Sequence, residues 1–256
     1  NHFVLKHIYI KIRFMEIQLA VAKVVKFGSL ESGDTLEIIE RPMGGVSCIL
    51  ADARSSGTSA KSISSMVVRK IISLISDGVR DGAAARGASD FLFMEKGGSC
   101  SVYMNILSAD LQTQTLVISR NNPTPVFISQ SDQIECISSE SIPIGHARNI
   151  RPSITEISLI PRTTVVLYTD GVMRAGERFS QSIDFCSLIQ AYLDEQEPSA
   201  QYIADALLSH AVRLDQNQPN DDMSVVVLRV IQSSVDNIRR LSVRLPFENQ
   251  SQMADL

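Results

Sequence analysis

Several apolar runs of this chain begin or end on an acid. Val46-Ser47-Cys48-Ile49-Leu50-Ala51 stops on Asp52, and Thr164-Val165-Val166-Leu167-Tyr168-Thr169 stops on Asp170. Asn220-Asp221-Asp222 stands immediately before Met223-Ser224-Val225-Val226-Val227-Leu228. A carboxylate where a buried strand ends is held rigidly yet open to solvent, which suits a hard metal ion. An all-oxygen set with no His or Cys partner fits Mg²⁺ or Mn²⁺, which keep several waters. Two such ions ~3.5–4 Å apart, bridged through Asp52, would lower the pKa of a shared water and aim the hydroxide in line at a phosphorus. That is phosphoester hydrolysis without a protein nucleophile.

The elements that must position these acids are short strands. Thr35–Glu40 and Val46–Ala51 flank Arg41-Pro42-Met43-Gly44-Gly45, a loop of hairpin length and composition. Pairing symmetric about Met43 puts Asp34 opposite Asp52, with directly opposite residues ~4.5–5.5 Å apart. Two carboxylates that close repel unless a cation lies between them. Taken singly, each acid also suits a turn cap. In an antiparallel sheet one strand's end lies beside its neighbour's start, so Asp34, Asp52, Asp170 and Asp221-Asp222 can share one edge.

The rest of the chain alternates strand blocks with helix pairs. Glu16–Val24 alternates as a strand; Ala60, Ile63, Val67, Ile71 and Leu74 recur at helical spacing before Gly78. A second helix is expected from Asp81, as N-cap, to Met94. Strands then follow at Ser101–Leu107, Thr115–Ser119, Val126–Ser129, Ile134–Ser138, Ser153–Leu159 and Thr164–Thr169. Pro161 disfavours one continuous central strand through 153–169. Ile183–Leu193 and Ala200–Leu214 read as amphipathic helices, and Met223–Val230 as a last strand. The expected architecture is α+β, layered α-β-β-α: an antiparallel β-sandwich flanked by helix pairs. Residues 1–14 are expected to be a leader or added segment, 15–231 the single domain, and 232–256 a tail, with Leu241-Ser242-Val243-Arg244-Leu245 either an added strand or a partner-binding segment.

With 256 residues, 44% hydrophobic, the chain is long enough for a substantial core. Its 24 basic and 28 acidic residues form no basic block, which argues against a nucleic-acid surface. Lys6, Lys11, Arg13 and Glu16 interrupt the most apolar N-terminal part, so no membrane span is expected. Cys48, Cys100, Cys136 and Cys186 lack zinc-site spacing and read as core residues of a protein in a reducing cytoplasm. His146 and His210 stand alone and read as structural.

These residues together resemble the PP2C-like metal-dependent serine/threonine phosphatases, in the bacterial branch of the stage II sporulation protein E phosphatase and the sigma-factor regulators. The likeness covers about residues 16–230. It rests on Ser32-Gly33-Asp34, the Ala51-Asp52 loop through Gly57 and Ala60, Asn122-Pro123, Ile142-Pro143-Ile144-Gly145, Tyr168-Thr169-Asp170-Gly171 and Asn220-Asp221-Asp222-Met223-Ser224. The resemblance implies that Asp52 bridges two Mn²⁺ or Mg²⁺ ions and that the Ala53 carbonyl ligates one of them. Asp170 and Asp221 would be further ligands, Asp34 would act mainly through metal-bound water, and Asp222 would stand behind the ligands. Where this family commonly has Asp-Gly-x-Gly-His-Gly, the chain has Asp52-Ala53-Arg54-Ser55-Ser56-Gly57. A replaced glycine is strained wherever its backbone needs positive φ.

The expected function is cytoplasmic hydrolysis of phosphoserine or phosphothreonine, with Asp34 and Asp52 as the central acids. The implied partner is a phosphorylated signalling protein such as an anti-sigma-factor antagonist. A silent phosphoprotein-binding module and a small-phosphoester hydrolase are the alternatives. A phosphate-binding cation is expected among Lys23, Lys26, Arg54 and Lys61.

Overall fold

The computed structural model describes residues 14–54, 58–131, 133–195, 198–233 and 238–246. Ser55, Ser56 and Gly57 of the acidic loop, nearly all of the expected leader and the last part of the tail lie outside the described residues. Strands are β1 (Phe14–Val24), β2 (Thr35–Glu40), β3 (Gly45–Ala53), β4 (Val102–Asp110), β5 (Thr115–Asn121), β6 (Val126–Gln130), β7 (Gln133–Ile137), β8 (Ser153–Ser158), β9 (Thr163–Tyr168) and β10 (Met223–Ser233). Helices are α1 (Thr58–Ser76), α2 (Asp81–Lys96), α3 (Asp170–Met173), α4 (Phe185–Leu193) and α5 (Ala200–Leu214).

Two antiparallel five-stranded sheets result, in the orders β1-β10-β9-β6-β7 and β2-β3-β4-β5-β8. Pro161 marks the crossing between them, since β8 is an edge strand of one sheet and β9 an interior strand of the other. Side-chain alternation divides the core into three layers. On β3, Cys48 and Leu50, with Leu107 of neighbouring β4, face the other sheet, where they meet Val165, Leu167, Val226 and Leu228. Ile49, Ala51 and Ala53 face α1 and α2. On the opposite outer face, Val166, Tyr168, Val225 and Val227 receive Ile189 of α4 and Ile203, Ala204 and Leu207 of α5. The expected α-β-β-α layering is the observed one. No helix among the described residues is long and apolar enough to cross a membrane.

Two expectations are corrected. Asp81 is not the cap of α2: Arg80 holds that position, and Asp81 in the first turn is buried against the Arg41 guanidinium at 2.7 Å. A guanidinium within reach outcompetes the helix's own amide groups for that carboxylate. Cys136 and Cys186 are exposed rather than core residues: Cys136 lies on edge strand β7 and Cys186 in the first turn of α4. After Thr169 the chain enters α3, so Asp170 opens a helical turn. In the tail, residues 238–246 form no strand, and Leu241, Val243 and Leu245 are exposed.

Candidate active site

Strand alternation aims the acids at the cleft between the sheets. Asp52 continues the inward face of Cys48 and Leu50 at the point where β3 runs out. The β2–β3 ladder pairs Thr35 with Ala51, so Asp34 stands one step further along, opposite Asp52, as the hairpin symmetry requires. From the other sheet, Ser224 occupies the inward face of β10 ahead of Val226 and Leu228, and its hydroxyl donates to Asp34 Oδ2 at 2.6 Å. Thr169 and Ser224 close the end of that sheet: the Thr169 N–H donates to the Ser224 carbonyl and the Ser224 N–H to Thr169 Oγ1, each at 3.0 Å.

The charges so gathered are expensive to keep ionised. Burial pushes the Asp34 carboxyl up to about 6 against the Ser224 hydrogen bond and nearby Lys23. Burial, reinforced by Asp34, Asp170 and Asp221, pushes Asp52 up to about 9. Asp221 is raised as well, chiefly by burial. Asp52 is thus the centre of an acid cluster contributed by four strand ends. Its donors are oxygen alone, and that chemistry fits Mg²⁺ or Mn²⁺.

Two lysines converge on the backbone beside this cluster. Lys23 Nζ and Lys61 Nζ both donate to the Asp34 carbonyl, at 2.6 and 3.0 Å. Ser64, buried on α1, donates to the Gly33 carbonyl at 2.6 Å. The first turns of α1 are therefore docked on the Asp34 turn. Asp222 ties the same turn from the other sheet: its carboxylate accepts from the Lys26 and Gly33 amides at 2.9 and 2.6 Å. Of the other candidate phosphate cations, Arg54 lies over the Tyr103 ring at 5.0 Å.

Arg174 was not legible as a site residue. Its guanidinium Nη2 lies between Asp170 Oδ2 and Asp221 Oδ2, at 2.7 and 3.0 Å. The Asp170–Arg174 contact is an i,i+4 pair, a signal that appears only once 170–173 is read as a helical turn. Gly171 permits the close approach of α3 to the 221–222 segment, because a Cβ there would stand 2.1 Å from the Asp222 carbonyl oxygen. Ala53 ends β3 without the left-handed backbone that would favour glycine. Among the described residues, no group of three or more His, Cys, Asp or Glu side chains is arranged to hold a metal ion. Asp52 contacts Asp170, and Asp170 and Asp221 are taken up by Arg174. The cluster is charge-paired, not open.

Residues 42–231 match the family described as Stage II sporulation protein E (SpoIIE). The chain belongs to the SpoIIE family. The stage II sporulation protein E of Bacillus subtilis (strain 168) is 22% identical over 214 residues, 84% of this chain but only 26% of that protein. This SpoIIE-family chain therefore spans about a quarter of that relative's length. The solved PP2C phosphatase domain and regulatory fragment of Bacillus subtilis SpoIIE superposes with a TM-score of 0.71 at 20% identity, covering 87% of this chain and 65% of that one. The catalytic domain of the serine/threonine phosphatase PstP, solved in complex with two manganese ions, superposes with a TM-score of 0.65 at 13% identity, covering 85% of this chain and 100% of that one. The fold is that of the PP2C-like phosphatases.

Proposed function

We propose that the chain is a metal-dependent phosphoprotein phosphatase acting on phosphoserine or phosphothreonine. The observation that carries this reading is the gathering of Asp34, Asp170 and Asp221 around Asp52, whose carboxyl is pushed up to about 9 by burial and by those three acids. Arg174 offsets only Asp170 and Asp221, and the negative charge left at the cluster is what a divalent cation would neutralise. The carboxylates of Asp52, Asp170 and Asp221 and the Ala53 carbonyl would hold the ions, with Asp34 beside them through water. Bound there, Mn²⁺ or Mg²⁺ supplies Lewis acidity that acidifies water and neutralises phosphoryl charge.

The chain's own residues would do the positioning. Ser224 holds the Asp34 carboxylate in one orientation, and Lys23 and Lys61 fix the Asp34 backbone. Asp222 and Ser64 anchor the same turn from two directions. A phosphorylated signalling protein, of the anti-sigma-factor antagonist kind, is the substrate that family membership favours.

A second reading has a specific observation behind it. Arg174 already neutralises Asp170 and Asp221, which is what a module that binds phosphoprotein without hydrolysing it would retain. Phosphate release from a phosphoserine peptide with added Mn²⁺ separates the two. The phosphatase reading requires release that excess chelator and Asp52→Asn both abolish. Binding of the phosphopeptide without release establishes the silent module.

A further inference from the structure

Arg174 sits at the C-terminal end of α3, with its amide donating to the Asp170 carbonyl at 2.9 Å. Its side chain is half exposed, yet its guanidinium is committed to two carboxylates of different segments. Asp170 comes from the end of β9 and Asp221 from the start of β10, so no helical neighbour relation explains the second contact. One monovalent cation here does for two acids what a divalent ion would do with greater charge and at shorter range.

The two cations exclude one another. A guanidinium nitrogen 2.7 Å from Asp170 Oδ2 and 3.0 Å from Asp221 Oδ2 fills the space between the oxygens on which an ion would have to bind. The side chain also has somewhere to go. It lines a notch with Glu177, Arg178, Asp215 and Asn220, in which Glu177 offers another acid. Asp215 is already engaged there by the Gly176 and Asn220 amides, both at 2.9 Å.

We propose that Arg174 is a resident counter-ion of the acid cluster: it holds Asp170 and Asp221 together in the metal-free protein and must swing into the notch before a divalent ion can bind. This inference rests on the metal-site reading above. It makes metal occupancy a competition, in which the observed dissociation constant is the intrinsic one divided by the share of molecules with Arg174 withdrawn. A partner that engages Arg174 would thereby raise metal occupancy without touching a ligand.

The test is calorimetric titration of Mn²⁺ into the full chain, its Arg174→Gln variant and its Arg178→Gln variant. Arg178 lies in the same notch but bonds the Gln218 carbonyl, so it controls for the loss of a positive charge. Arg174→Gln is expected to bind Mn²⁺ about tenfold more tightly than the parent. Arg178→Gln is expected to stay within about twofold. In excess chelator, Arg174→Gln should melt below the parent, because two acids lose their cation. A second measurement uses the unaltered protein: the Arg174 Nε–H resonance should move as Mg²⁺ saturates the site. Equal or weaker Mn²⁺ binding by Arg174→Gln, or an unmoved resonance at saturation, overturns the inference and leaves the metal site standing. Absence of Mn²⁺ binding by both parent and Arg174→Gln overturns the inference and the metal-site reading together.

Discussion

The Ser224 hydroxyl of one sheet donates to the Asp34 carboxylate of the other at 2.6 Å, and both residues are buried. This bond is a cross-sheet tie at the open end of the sandwich, and it lowers the Asp34 carboxyl against the upward pull of burial. Ser224→Ala removes the donor and leaves a buried carboxylate short of a partner. The expected loss is about 1–3 kcal/mol, the cost of an unsatisfied buried polar group. At this chain length that is about 2–4 °C in melting temperature per kcal/mol, measured by calorimetry in chelator. Ser224→Thr should recover part of the loss if the tie itself is responsible.

Asp52 gives the metal-free protein a characteristic pH dependence. Its carboxyl stands at about 9 in the fold against an ordinary value of 3.8. Between those values the folded state binds more protons at this group than the unfolded chain, so this group's contribution to stability falls as pH rises. Asp52→Asn removes that contribution. In chelator, the variant should melt above the parent at pH 8, with the difference shrinking towards pH 4. Melting curves across that range check it; a parent more stable than Asp52→Asn at pH 8 contradicts it.

Gly171 is required by a contact rather than by its backbone angles. In Gly171→Ala the new Cβ meets the Asp222 carbonyl, so α3 or the 221–222 segment must shift. The expected cost is about 1–3 kcal/mol, the usual range for overpacking. Asp221 should separate from Asp170 at the same time, lowering Mn²⁺ affinity beyond what the stability loss explains. Parallel measurement of melting temperature and Mn²⁺ affinity tests both parts.

The free thiols divide by burial. Cys48 is fully buried and its thiol is pushed up to about 12, whereas Cys136 and Cys186 are exposed. Thiolate is the reacting form, so at pH 8 a disulfide reagent should label Cys136 and Cys186 in the native protein and reach Cys48 only on unfolding. Mass spectrometry of the labelled protein before and after denaturant reads the order directly.

The parts of the structure that depend on one segment or one hairpin could be read from the residues. Helical spacing in 200–214 fits α5 end to end, and symmetry about Met43 places Asp34 opposite Asp52 because β2–β3 register follows from a short loop. What stayed hidden depends on packing between distant segments. Ser224 reads as an ordinary small residue inside a strand until β10 is laid against the other sheet. Arg174 reads as a surface charge until Asp221 arrives from 47 residues away. Asp81 reads as a helix cap because the sequence does not show that Arg41 will be beside it. The exposed Cys136 and Cys186 could not be told from core residues by their apolar neighbours, because an edge strand and the first turn of a helix carry the same local pattern as buried segments.

The central claim is that the acids around Asp52 hold divalent cations. Titration of Mn²⁺ followed by loss of the free-ion electron paramagnetic resonance signal measures this without any substrate. Binding by the parent, weakened about 100-fold or more in Asp52→Asn, is the predicted result. A parent that leaves the free-ion signal unchanged, or an Asp52→Asn variant that binds as tightly as the parent, contradicts it.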